Sequence, residues 1–361
     1  LRTVAGTAPV AGDTIMLVIL HPNCTVAEVA AVEDTIRNMG YTPIPVPGPS
    51  RTAICVTGNK GPVDGAPLAR LPGVVDTISV TKPYKLVSRE TQPNDTVVAV
   101  GDVMIGGDSG PVLIAGPCSV ETESRTLAIA EGVAAAGAQL FRAGAFKPRT
   151  SPYDFQGLGV EGLRTLSHVR EQTGLRIVSE VVDARDVAVV AEHVDLLQVG
   201  ARNMQNFTLL RELAGVNRPI LLKRGPSATL QEWLMAAEYL LAFGNSQVIL
   251  CERGIRTFSD HARNTLDLNV VPAVRELSHL PVIVDPSHGV GHRSRVRAMS
   301  RAGIAAGANG LIVEAHTDPT TAYTDAQQTV DMATIAGIVA DMAVLATLDR
   351  APADQPAAQR A

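Results

Sequence analysis

Four side chains that bind divalent metal ions well are scattered over the second two thirds of the chain. One is a thiol, one is an imidazole and two are carboxylates: Cys118, His288, Glu314 and Asp325. A mixed set of soft and hard donors suits a borderline ion such as Mn, Co, Fe or Zn better than Ca. No two of them form a local metal motif, so they make one site only if the fold brings them together. The alternative is ordinary: a buried thiol used in packing, and carboxylates that pair with nearby cations.

A second set of candidate residues is cationic and follows the ends of the predicted strands. Its members are Arg142, Lys147, Arg149, Arg202, Lys223, Arg224, Arg253, Arg256, His292 and Arg293. Crowded on one rim without partners, these groups would repel one another. We therefore interpret them as a pocket for anions that carry more than one negative group, such as two phosphates. The alternative is a ring of salt bridges in which Glu180, Glu252 and Asp285 supply the partners.

The elements that must position these residues are predicted to alternate strictly between strand and helix. The clearest unit is a four-residue apolar run that stops at Gly116, followed by a helix over residues 122–136. Helices are also clear over residues 161–173, 229–243 and 326–347. The eight predicted strands end near Cys118, Phe146, Val182, Ala201, Gly225, Gly254, His288 and His316. This pattern predicts an α/β fold, a (β/α)8 TIM barrel over residues 111–349, with its chemistry at the carboxyl ends of the strands.

The pattern of residues 15–81 predicts a separate, small α+β domain of the ferredoxin-like type. The predicted order is β-α-β-β-α-β, with strands over 15–20, 42–46, 51–57 and 74–80 and helices over 25–40 and 63–71. Thr25 and Glu28 form a capping-box pattern at the start of the first helix. Pro43 and Pro45 indicate that the second strand is an edge strand. The domain contains no catalytic constellation, so a regulatory or a purely structural role is expected.

The remaining segments and the bulk composition limit the partners. Residues 82–110 are predicted to be a linker and a short hairpin, and residues 1–14 and 350–361 to be flexible or disordered tails. The net charge of −5 gives no reason to expect nucleic acid or an acidic membrane as partner. No apolar run has the length of a membrane span. Four scattered cysteines and no secretory signal pattern indicate a cytoplasmic protein.

Several motifs together resemble the 3-deoxy-D-arabino-heptulosonate 7-phosphate (DAHP) synthase family, in its branch with an amino-terminal ferredoxin-like or ACT-like domain. The matching motifs are Ala115-Gly-Pro-Cys-Ser119, Arg142-Ala-Gly-Ala-Phe-Lys-Pro-Arg-Thr150, Gln198-Val-Gly-Ala-Arg-Asn203, Leu222-Lys-Arg224, Cys251-Glu-Arg-Gly254 and Asp285-Pro-Ser-His288. The resemblance implies a transferase of the shikimate pathway to aromatic amino acids. Its expected substrates are phosphoenolpyruvate, erythrose 4-phosphate and water, and its products are DAHP and phosphate.

The resemblance also implies roles for individual residues. One divalent metal ion of the Mn, Co, Fe or Zn class is expected on Cys118, His288, Glu314 and Asp325. Phosphoenolpyruvate is expected on Arg142, Lys147, Ala201, Arg202, Lys223 and Arg253, and the aldose phosphate on Arg149 and Thr150 with Arg224 nearby. The expected catalytic residues are Lys147, His288 and Cys118. The proton donor to the new alkoxide stays open between Lys147, His288 and a water on the metal.

Related enzymes suggest a homotetramer that is feedback-inhibited by tyrosine or phenylalanine. The chain departs from the family pattern in three places near the last expected ligand: Thr317 follows His316 where Pro is usual, Thr324 replaces Ser, and Asp318 competes with Asp325 for the ligand role. Two alternatives remain. One is 3-deoxy-D-manno-octulosonate 8-phosphate synthase, which uses arabinose 5-phosphate and carries Lys-Ala-Asn-Arg-Ser at Lys147-Pro-Arg-Thr150. The other is a non-catalytic amino-acid sensor.

Overall fold

The structure, a computed structural model, describes residues 15–47, 52–59, 63–80, 83–149 and 151–348. The tails predicted at 1–14 and 350–361, and the site residue Thr150, lie outside the described residues. The contacts divide the chain into two compact units, one up to Pro93 and one from Asn94 onward. Each unit is described by itself.

The amino-terminal unit is a four-stranded antiparallel sheet with helices, in the ferredoxin-like order. Its elements are β1 (Ile15–Leu20), α1 (Val26–Asn38), β2 (Thr42–Pro47), β3 (Thr52–Thr57), α2 (Ala66–Ala69) and β4 (Val74–Val80). The strand order is β2-β3-β1-β4, which puts the proline-containing strand β2 at an edge as predicted. Helix α2 is a single turn, shorter than the predicted 63–71.

Helix α1 begins where its sequence predicts and buries one face on this sheet. The Thr25 hydroxyl accepts a hydrogen bond from Glu28 N at 3.3 Å, and the Glu28 carboxylate accepts one from Thr25 N at 2.8 Å. This capping box satisfies amide donors that have no partner inside the helix. Val32 and Ile36 are fully buried and pack in one core with strand residues such as Ile54.

In the second unit, eight parallel strands close into a barrel among the described residues. A hairpin precedes it, formed by β5 (Val98–Val100) and β6 (Val103–Ile105). The barrel strands are β7 (Val112–Gly116), β8 (Leu140–Arg142), β9 (Arg176–Val181), β10 (Leu196–Val199), β11 (Ile220–Lys223), β12 (Val248–Glu252), β13 (Val282–Val284) and β14 (Gly310–Glu314). The prediction of a TIM barrel after a ferredoxin-like domain is confirmed.

Helices follow the strands and cover the barrel. They are α3 (Glu123–Ala135), α4 (Gly159–Thr173), α5 (Val187–His193), α6 (Phe207–Ala214), α7 (Leu230–Ala242), α8 (Val270–Leu277), α9 (Pro286–Val290), α10 (Arg293–Ala305) and α11 (Met332–Leu348). Short 3-10 turns lie at Ala184–Asp186, Ala201–Asn203 and Pro319–Thr321. Within the described residues, every helix is too short or too polar to cross a membrane.

The hairpin covers the amino-terminal end of the barrel. Val98 and Ile105 belong to the same buried core as barrel residues such as Ile114. Asp102 in the hairpin turn also pairs with Arg176 at the start of β9, at 2.7 Å. Because all barrel strands are parallel, their carboxyl ends meet at the opposite rim, where barrel enzymes place their reacting groups.

Candidate active site

The carboxyl rim brings the four predicted metal-binding side chains together. One donor atom from each of Cys118, His288, Glu314 and Asp325 lies within 4.8 Å of the others. Cys118 follows β7, Glu314 ends β14, His288 lies in α9 and Asp325 lies in the loop after β14. The Cys118 Sγ and Asp325 Oδ2 atoms are 2.9 Å apart, and His288 Nε2 lies 3.3 Å from Glu314 Oε1. The closed barrel therefore places residues that are distant in sequence in one cluster.

Asp285 orients the imidazole of His288. Its Oδ2 lies 2.8 Å from His288 Nδ1, and its Oδ1 accepts a hydrogen bond from His288 N at 3.0 Å. A proton on Nδ1 directed at this carboxylate leaves Nε2, the atom beside Glu314, as the free lone pair. Burial lowers the pKa of His288 although Asp285 and Glu314 act in the opposite direction. A neutral imidazole with Nε2 unprotonated is the form that binds a metal ion.

Glu314 is buried and is fixed on both oxygens. Arg142 donates to its Oε1 at 2.8 Å, and the Gln328 amide donates to its Oε2 at 2.6 Å. Burial would raise the pKa of Glu314, but the positive charge of His288, when that ring is protonated, and of Arg142 outweigh it and lower this pKa to about 2. The group is therefore a carboxylate under all ordinary conditions.

Asp325 adopts a left-handed backbone conformation with φ of 55°, which is unusual for a residue with a side chain. Its carbonyl accepts hydrogen bonds from Gln328 N at 3.1 Å and from the Thr329 hydroxyl at 3.0 Å. Such a conformation costs about 1–3 kcal/mol and persists where the surroundings determine it, often at a functional site. Here it directs the carboxylate at Cys118.

The donor set fits a divalent cation. Burial, together with the charge of Glu314, raises the pKa of the Cys118 thiol to about 12, against the opposing effect of Lys147 and Arg142. Lys147 Nζ lies 2.7 Å from Cys118 Sγ. A thiolate beside two carboxylates is repulsive without a cation between them, and a bound metal ion stabilises the thiolate directly. One sulfur, one imidazole nitrogen and carboxylate oxygens are the ligand types of the Mn to Zn group.

A cavity of about 350 Å³ opens beside the metal-donor cluster and contains most of the predicted substrate residues. Predicted residues that line it are Cys118, Arg142, Lys147, Arg149, Ala201, Arg202, Lys223, Arg253, His288 and Asp325. Arg256 of the predicted cationic set also lines it, and so do Pro148, Asp154, Glu180, Gln198, Gly200, Pro226, Arg263 and Asn264. The lining is strongly cationic, although the chain as a whole has a net charge of −5.

Three arginines of the lining make no ion pair with any carboxylate among the described residues: Arg202, Arg253 and Arg256. Burial lowers the pKa of Arg253, and the neighbouring Arg263 adds to this effect. The Nε atom of Arg142 is also buried without a hydrogen-bond partner. Arg202 and Arg256 are exposed, whereas Arg253 is partly buried. A partly buried cation and a buried donor without partners are costly, and the cost is offset when an anionic ligand binds.

Other cations of the rim already have carboxylate partners. Lys223 Nζ lies 2.5 Å from Asp285 Oδ2, and Arg149 pairs with Asp154 at 3.0 Å. Lys223 nevertheless lines the cavity, at the base of the cationic surface.

Arg224 is expected near the substrates, and the structure places it elsewhere. It is buried and pairs with Glu252 at 3.0 Å and Asp267 at 2.9 Å, and its guanidinium lies 5.9 Å from the ring centre of Trp233 in α7. Lys223 points into the barrel, so the next residue along the strand points outward to the helices. Arg224 thus ties β11 to β12 and to the segment before α8.

Arg263 and Asn264 are site residues that the sequence motifs do not identify. Arg263 NH1 donates to Gln328 Oε1 at 2.9 Å and lies 3.3 Å from Asp325 Oδ1, and Asn264 donates to the carbonyl of His288 at 2.9 Å. Both lie in the long polar connection after the sixth strand. This connection starts at the carboxyl rim of the barrel, where barrel enzymes place their reacting groups, and that position is the feature of the sequence that could have identified both residues.

The fold and the rim define a class: a (β/α)8 barrel enzyme for small, polyanionic substrates, with a site that fits a divalent metal ion. A family model described as the DAHP synthetase I family matches residues 85–347, and one described as the DAHP synthase ferredoxin-like domain matches residues 16–82. The chain belongs to the DAHP synthetase I family. The resemblance found in the sequence motifs is confirmed.

Known proteins similar to the chain agree with this family. A protein of Thermotoga maritima named phospho-2-dehydro-3-deoxyheptonate aldolase is 44% identical over 331 residues, which are 92% of this chain and 98% of the relative. The crystal structure of phospho-2-dehydro-3-deoxyheptonate aldolase (DAHP synthase) from Thermotoga maritima is 43% identical, with a TM-score of 0.74, and the match covers 93% of this chain and 98% of that one. A 2-dehydro-3-deoxyphosphooctonate aldolase of Geobacter sulfurreducens is 32% identical over 255 residues, 65% of this chain and 92% of the relative.

Proposed function

We propose that the chain is a metal-dependent 3-deoxy-7-phosphoheptulonate synthase, which joins phosphoenolpyruvate, erythrose 4-phosphate and water to give DAHP and phosphate. The observation that carries the proposal is one rim cavity in which four metal donors adjoin three arginines without carboxylate partners among the described residues. The cations bind the phosphate and carboxylate groups of the substrates, and the metal site binds the aldehyde end. The family assignment and the relative at 44% identity support the same activity.

In this proposal, Cys118, His288, Glu314 and Asp325 hold one ion of the Mn, Co, Fe or Zn class. Such an ion, when bound, supplies Lewis-acid polarisation of the aldehyde. The donor chemistry does not select one ion of the group.

The side chains of the cavity perform the remaining tasks. Arg202, Arg253 and Lys223 hold phosphoenolpyruvate so that its terminal enol carbon faces the aldehyde carbon, and Arg149 binds the phosphate of the second substrate. A carbon–carbon bond forms between those two carbons, and positive charge develops on the enol ether carbon. Water adds there, and phosphate leaves with the oxygen that had joined it to that carbon. The cationic lining stabilises the departing phosphate.

Lys147 is our candidate for the proton donor to the oxygen that was the aldehyde. Its Nζ lies 3.0 Å from the Cys118 carbonyl and 2.7 Å from Sγ, so the ammonium is held beside the metal donors at the edge of the cavity. An ammonium that is already positioned gives its proton without reorganisation. His288 is the alternative donor, but its orientation by Asp285 favours a ligand role.

The octulosonate synthase activity is the second candidate, because relatives of that name match the barrel. The Geobacter sulfurreducens relative aligns with 65% of this chain, whereas the heptulosonate relative aligns with 92%. Pro148 fixes its own φ and restricts the backbone of the preceding residue Lys147, which favours a site for the shorter, four-carbon aldose phosphate.

A phosphate-release assay on the purified protein tests the proposal. With phosphoenolpyruvate and Mn²⁺ present, erythrose 4-phosphate should support turnover and arabinose 5-phosphate should give a far lower kcat/KM. Equal efficiency with both sugars would exclude the heptulosonate assignment, and no turnover with either would favour the non-catalytic sensor.

Regulation, assembly and location are part of the same proposal. We infer feedback inhibition by tyrosine or phenylalanine through the ferredoxin-like unit, in a homotetramer that is cytoplasmic. The match to the DAHP synthase ferredoxin-like domain over residues 16–82 supports an effector-binding role for this unit.

A further inference from the structure

A polar cluster outside the cavity, in which Glu121 and His316 are buried, joins the turn after β7 to the loop after β14. We call it the Glu121 cluster; it consists of Glu121, Arg125, His316, Thr321 and Tyr323. Arg125 is on α3, and Glu121 lies in the turn before that helix. The other three lie in the loop that leads to Asp325. Neither the metal-donor set nor the cavity lining includes any of these five residues.

Glu121 is the centre of this cluster and uses both of its carboxylate oxygens. The residue is 1% exposed. Its Oε1 accepts a hydrogen bond from Tyr323 N at 2.9 Å. Its Oε2 pairs with Arg125 Nε at 2.7 Å and lies 3.3 Å from His316 Nε2. Removing one partner of a buried charge is strongly destabilising, so this carboxylate holds its partners together.

The imidazole of His316 completes the cluster. Its Nδ1 accepts a hydrogen bond from Asp318 N at 2.9 Å, and its Nε2 lies 3.3 Å from Glu121 Oε2 and 3.3 Å from Arg125 Nη2. An amide in place of the carboxylate would remove the charge that pairs with Arg125 and would weaken or reverse the contact with His316 Nε2.

Arg125 extends the restraint along the loop. Its NH2 donates to the Thr321 carbonyl at 2.8 Å and to the Thr321 hydroxyl at 2.9 Å. Its guanidinium also lies 5.2 Å from the ring centre of Tyr323. One residue further on, the Thr324 hydroxyl contacts that of Ser119 at 3.1 Å, beside Cys118.

These attachments end one residue before Asp325, whose φ of 55° must be held by its surroundings. We propose that Glu121 is a positioning residue for the metal site: it anchors residues 321–324 to the start of α3, so that the Asp325 carboxylate reaches Cys118. The inference rests on the proposed metal site and adds to it a residue that touches neither metal nor substrate. Loss of an outer partner of a metal ligand typically lowers metal affinity about 10- to 100-fold.

The test measures metal binding rather than turnover. Apoprotein of the wild type and of Glu121→Gln is titrated with Mn²⁺ against a competing chelator, and phosphoenolpyruvate binding to the same apoproteins is measured by calorimetry. The Kd for Mn²⁺ should rise about 10-fold in the variant, the low end of the range for a direct outer partner, because Glu121 acts on Asp325 only through residues 321–324. The Kd for phosphoenolpyruvate should be unchanged, because the side chains proposed to bind it, Arg202, Lys223 and Arg253, follow or end other barrel strands and lie outside this loop.

A matched control makes the same chemical change elsewhere in this unit. Asp341→Asn breaks the ion pair between Asp341 and Arg297, 2.7 Å apart, which joins α10 and α11. Its Mn²⁺ affinity should equal that of the wild type. If Glu121→Gln binds Mn²⁺ as tightly as this control does, the positioning role is wrong while the metal site stands. If the wild type binds no Mn²⁺, the metal site and the positioning role fall together.

A second variant covers the case in which Glu121→Gln does not fold. Arg125→Lys keeps a cation beside Glu121 but lacks the second nitrogen that reaches Thr321. It should show a smaller rise in the Kd for Mn²⁺ with phosphoenolpyruvate binding intact. An unchanged Kd for Mn²⁺ in this variant would contradict the proposal.

Discussion

Arg224 and Arg253 follow neighbouring barrel strands, yet their surroundings give them different roles. Arg224 is enclosed between Glu252 and Asp267, whereas Arg253 faces the cavity without a described carboxylate in ion-pairing range. The same guanidinium group is therefore a structural tie in one place and a group that requires a ligand in the other. Substitution of each arginine by methionine, which has a similar length and no charge, separates these roles.

Arg224→Met should destabilise the barrel without a specific effect on substrate binding. It leaves the buried carboxylate of Glu252 without its partner, and breaking a buried pair in this way typically costs about 3–5 kcal/mol. Denaturant unfolding should report this loss of free energy of unfolding. A free energy of unfolding within about 1 kcal/mol of the wild type would show that the pair is not structural, because surface substitutions have effects of that size or less.

Arg253→Met should have the opposite profile. Loss of a charged hydrogen-bonding partner of the substrate costs about 1.5–3 kcal/mol, roughly a 10- to 150-fold fall in kcat/KM for phosphoenolpyruvate. Stability should not fall, because the native protein holds this cation at a desolvation cost, as the lowered pKa of Arg253 indicates. Steady-state kinetics and denaturant unfolding on the same preparation check both halves. An unchanged kcat/KM would remove Arg253 from the substrate site.

Cys118→Ser tests the metal ligand that has the least ordinary chemistry. A neutral hydroxyl replaces a thiolate, so Mn²⁺ affinity should fall by more than the roughly 10- to 100-fold that is typical for an outer-shell partner. Chelator competition on the apoprotein measures the change. Cys24→Ser is the control, because Cys24 lies in the amino-terminal unit and its Sγ contacts the Gly73 carbonyl at 3.2 Å. Equal Mn²⁺ affinity of the two variants would argue against Cys118 as a ligand.

The sequence predicts that Lys223 and Arg224 point to opposite faces of β11, but it does not predict which residues each of them contacts. Strand alternation predicts that Lys223 and Arg224 point in opposite directions. The partner Asp267 of Arg224 lies 43 residues further along the chain, in a connection whose path has no local periodicity. Because the sequence does not show this path, it predicts that both residues belong to the cationic rim.

At the level of elements, β7 ends with a glycine because the neighbouring strand approaches it closely. Gly116 has φ of 151°, and a Cβ atom there would lie 2.1 Å from the Arg142 carbonyl oxygen. A side chain at this position would push apart β7 and β8, which carry Cys118 and Arg142 toward the site. Glycine therefore serves the geometry of the site in addition to ending the strand.

Gly116→Ala should lower both stability and Mn²⁺ affinity. The backbone conformation and the close contact are each unfavourable for alanine, so a loss of more than about 1 kcal/mol is expected. Thermal unfolding and chelator competition measure the two effects. Gly110→Ala is the control, because no heavy atom lies within 4 Å of the position that its methyl group would take. If Gly116→Ala behaved like this control, the strand approach would be unimportant for the site.

Helix α11 shows where local patterns fail. The periodicity of residues 326–347 is typical of one helix, but α11 begins at Met332. Residues before it make contacts with distant parts of the chain: Val330 pairs with Ala315 and Gln328 binds Glu314. These contacts hold the segment outside the helix, with a turn over residues 326–328 directly after Asp325. The barrel strands are easier to predict, because short apolar runs between Gly and Pro are covered on both faces and need no distant partner to be recognised.

For the whole molecule, closure of the barrel creates the site, and that closure is not encoded in any local spacing. Cys118 and Asp325 are 207 residues apart in the chain, and their donor atoms are 2.9 Å apart. Eight alternating units predict a closed barrel, and barrel closure predicts that the strand ends meet. The order of the side chains around the rim, and the contribution of Arg263 from a long connection, depend on packing that one sequence does not reveal.

The role of the amino-terminal unit can be tested by comparing the intact chain with a variant that lacks this unit. The family matches divide between residues 82 and 85, so a variant that lacks residues 1–82 removes the ferredoxin-like unit and keeps the buried segment that starts at Tyr84. An inhibitor that binds one arrangement of the chain more tightly by about 3 kcal/mol shifts the equilibrium more than 100-fold. That binding difference is lost when the unit that binds the inhibitor is removed.

We expect the truncated variant to keep its kcat for DAHP formation and to ignore tyrosine and phenylalanine at concentrations that inhibit the intact protein. Initial rates with saturating phosphoenolpyruvate and erythrose 4-phosphate, measured against increasing amino acid, give both values. Leucine is the control ligand, because it is apolar and of similar bulk but lacks the ring. Equal inhibition of both forms by tyrosine or phenylalanine would place the effector site in the barrel. An intact protein that responds to neither amino acid would mean that the unit is structural or binds another effector.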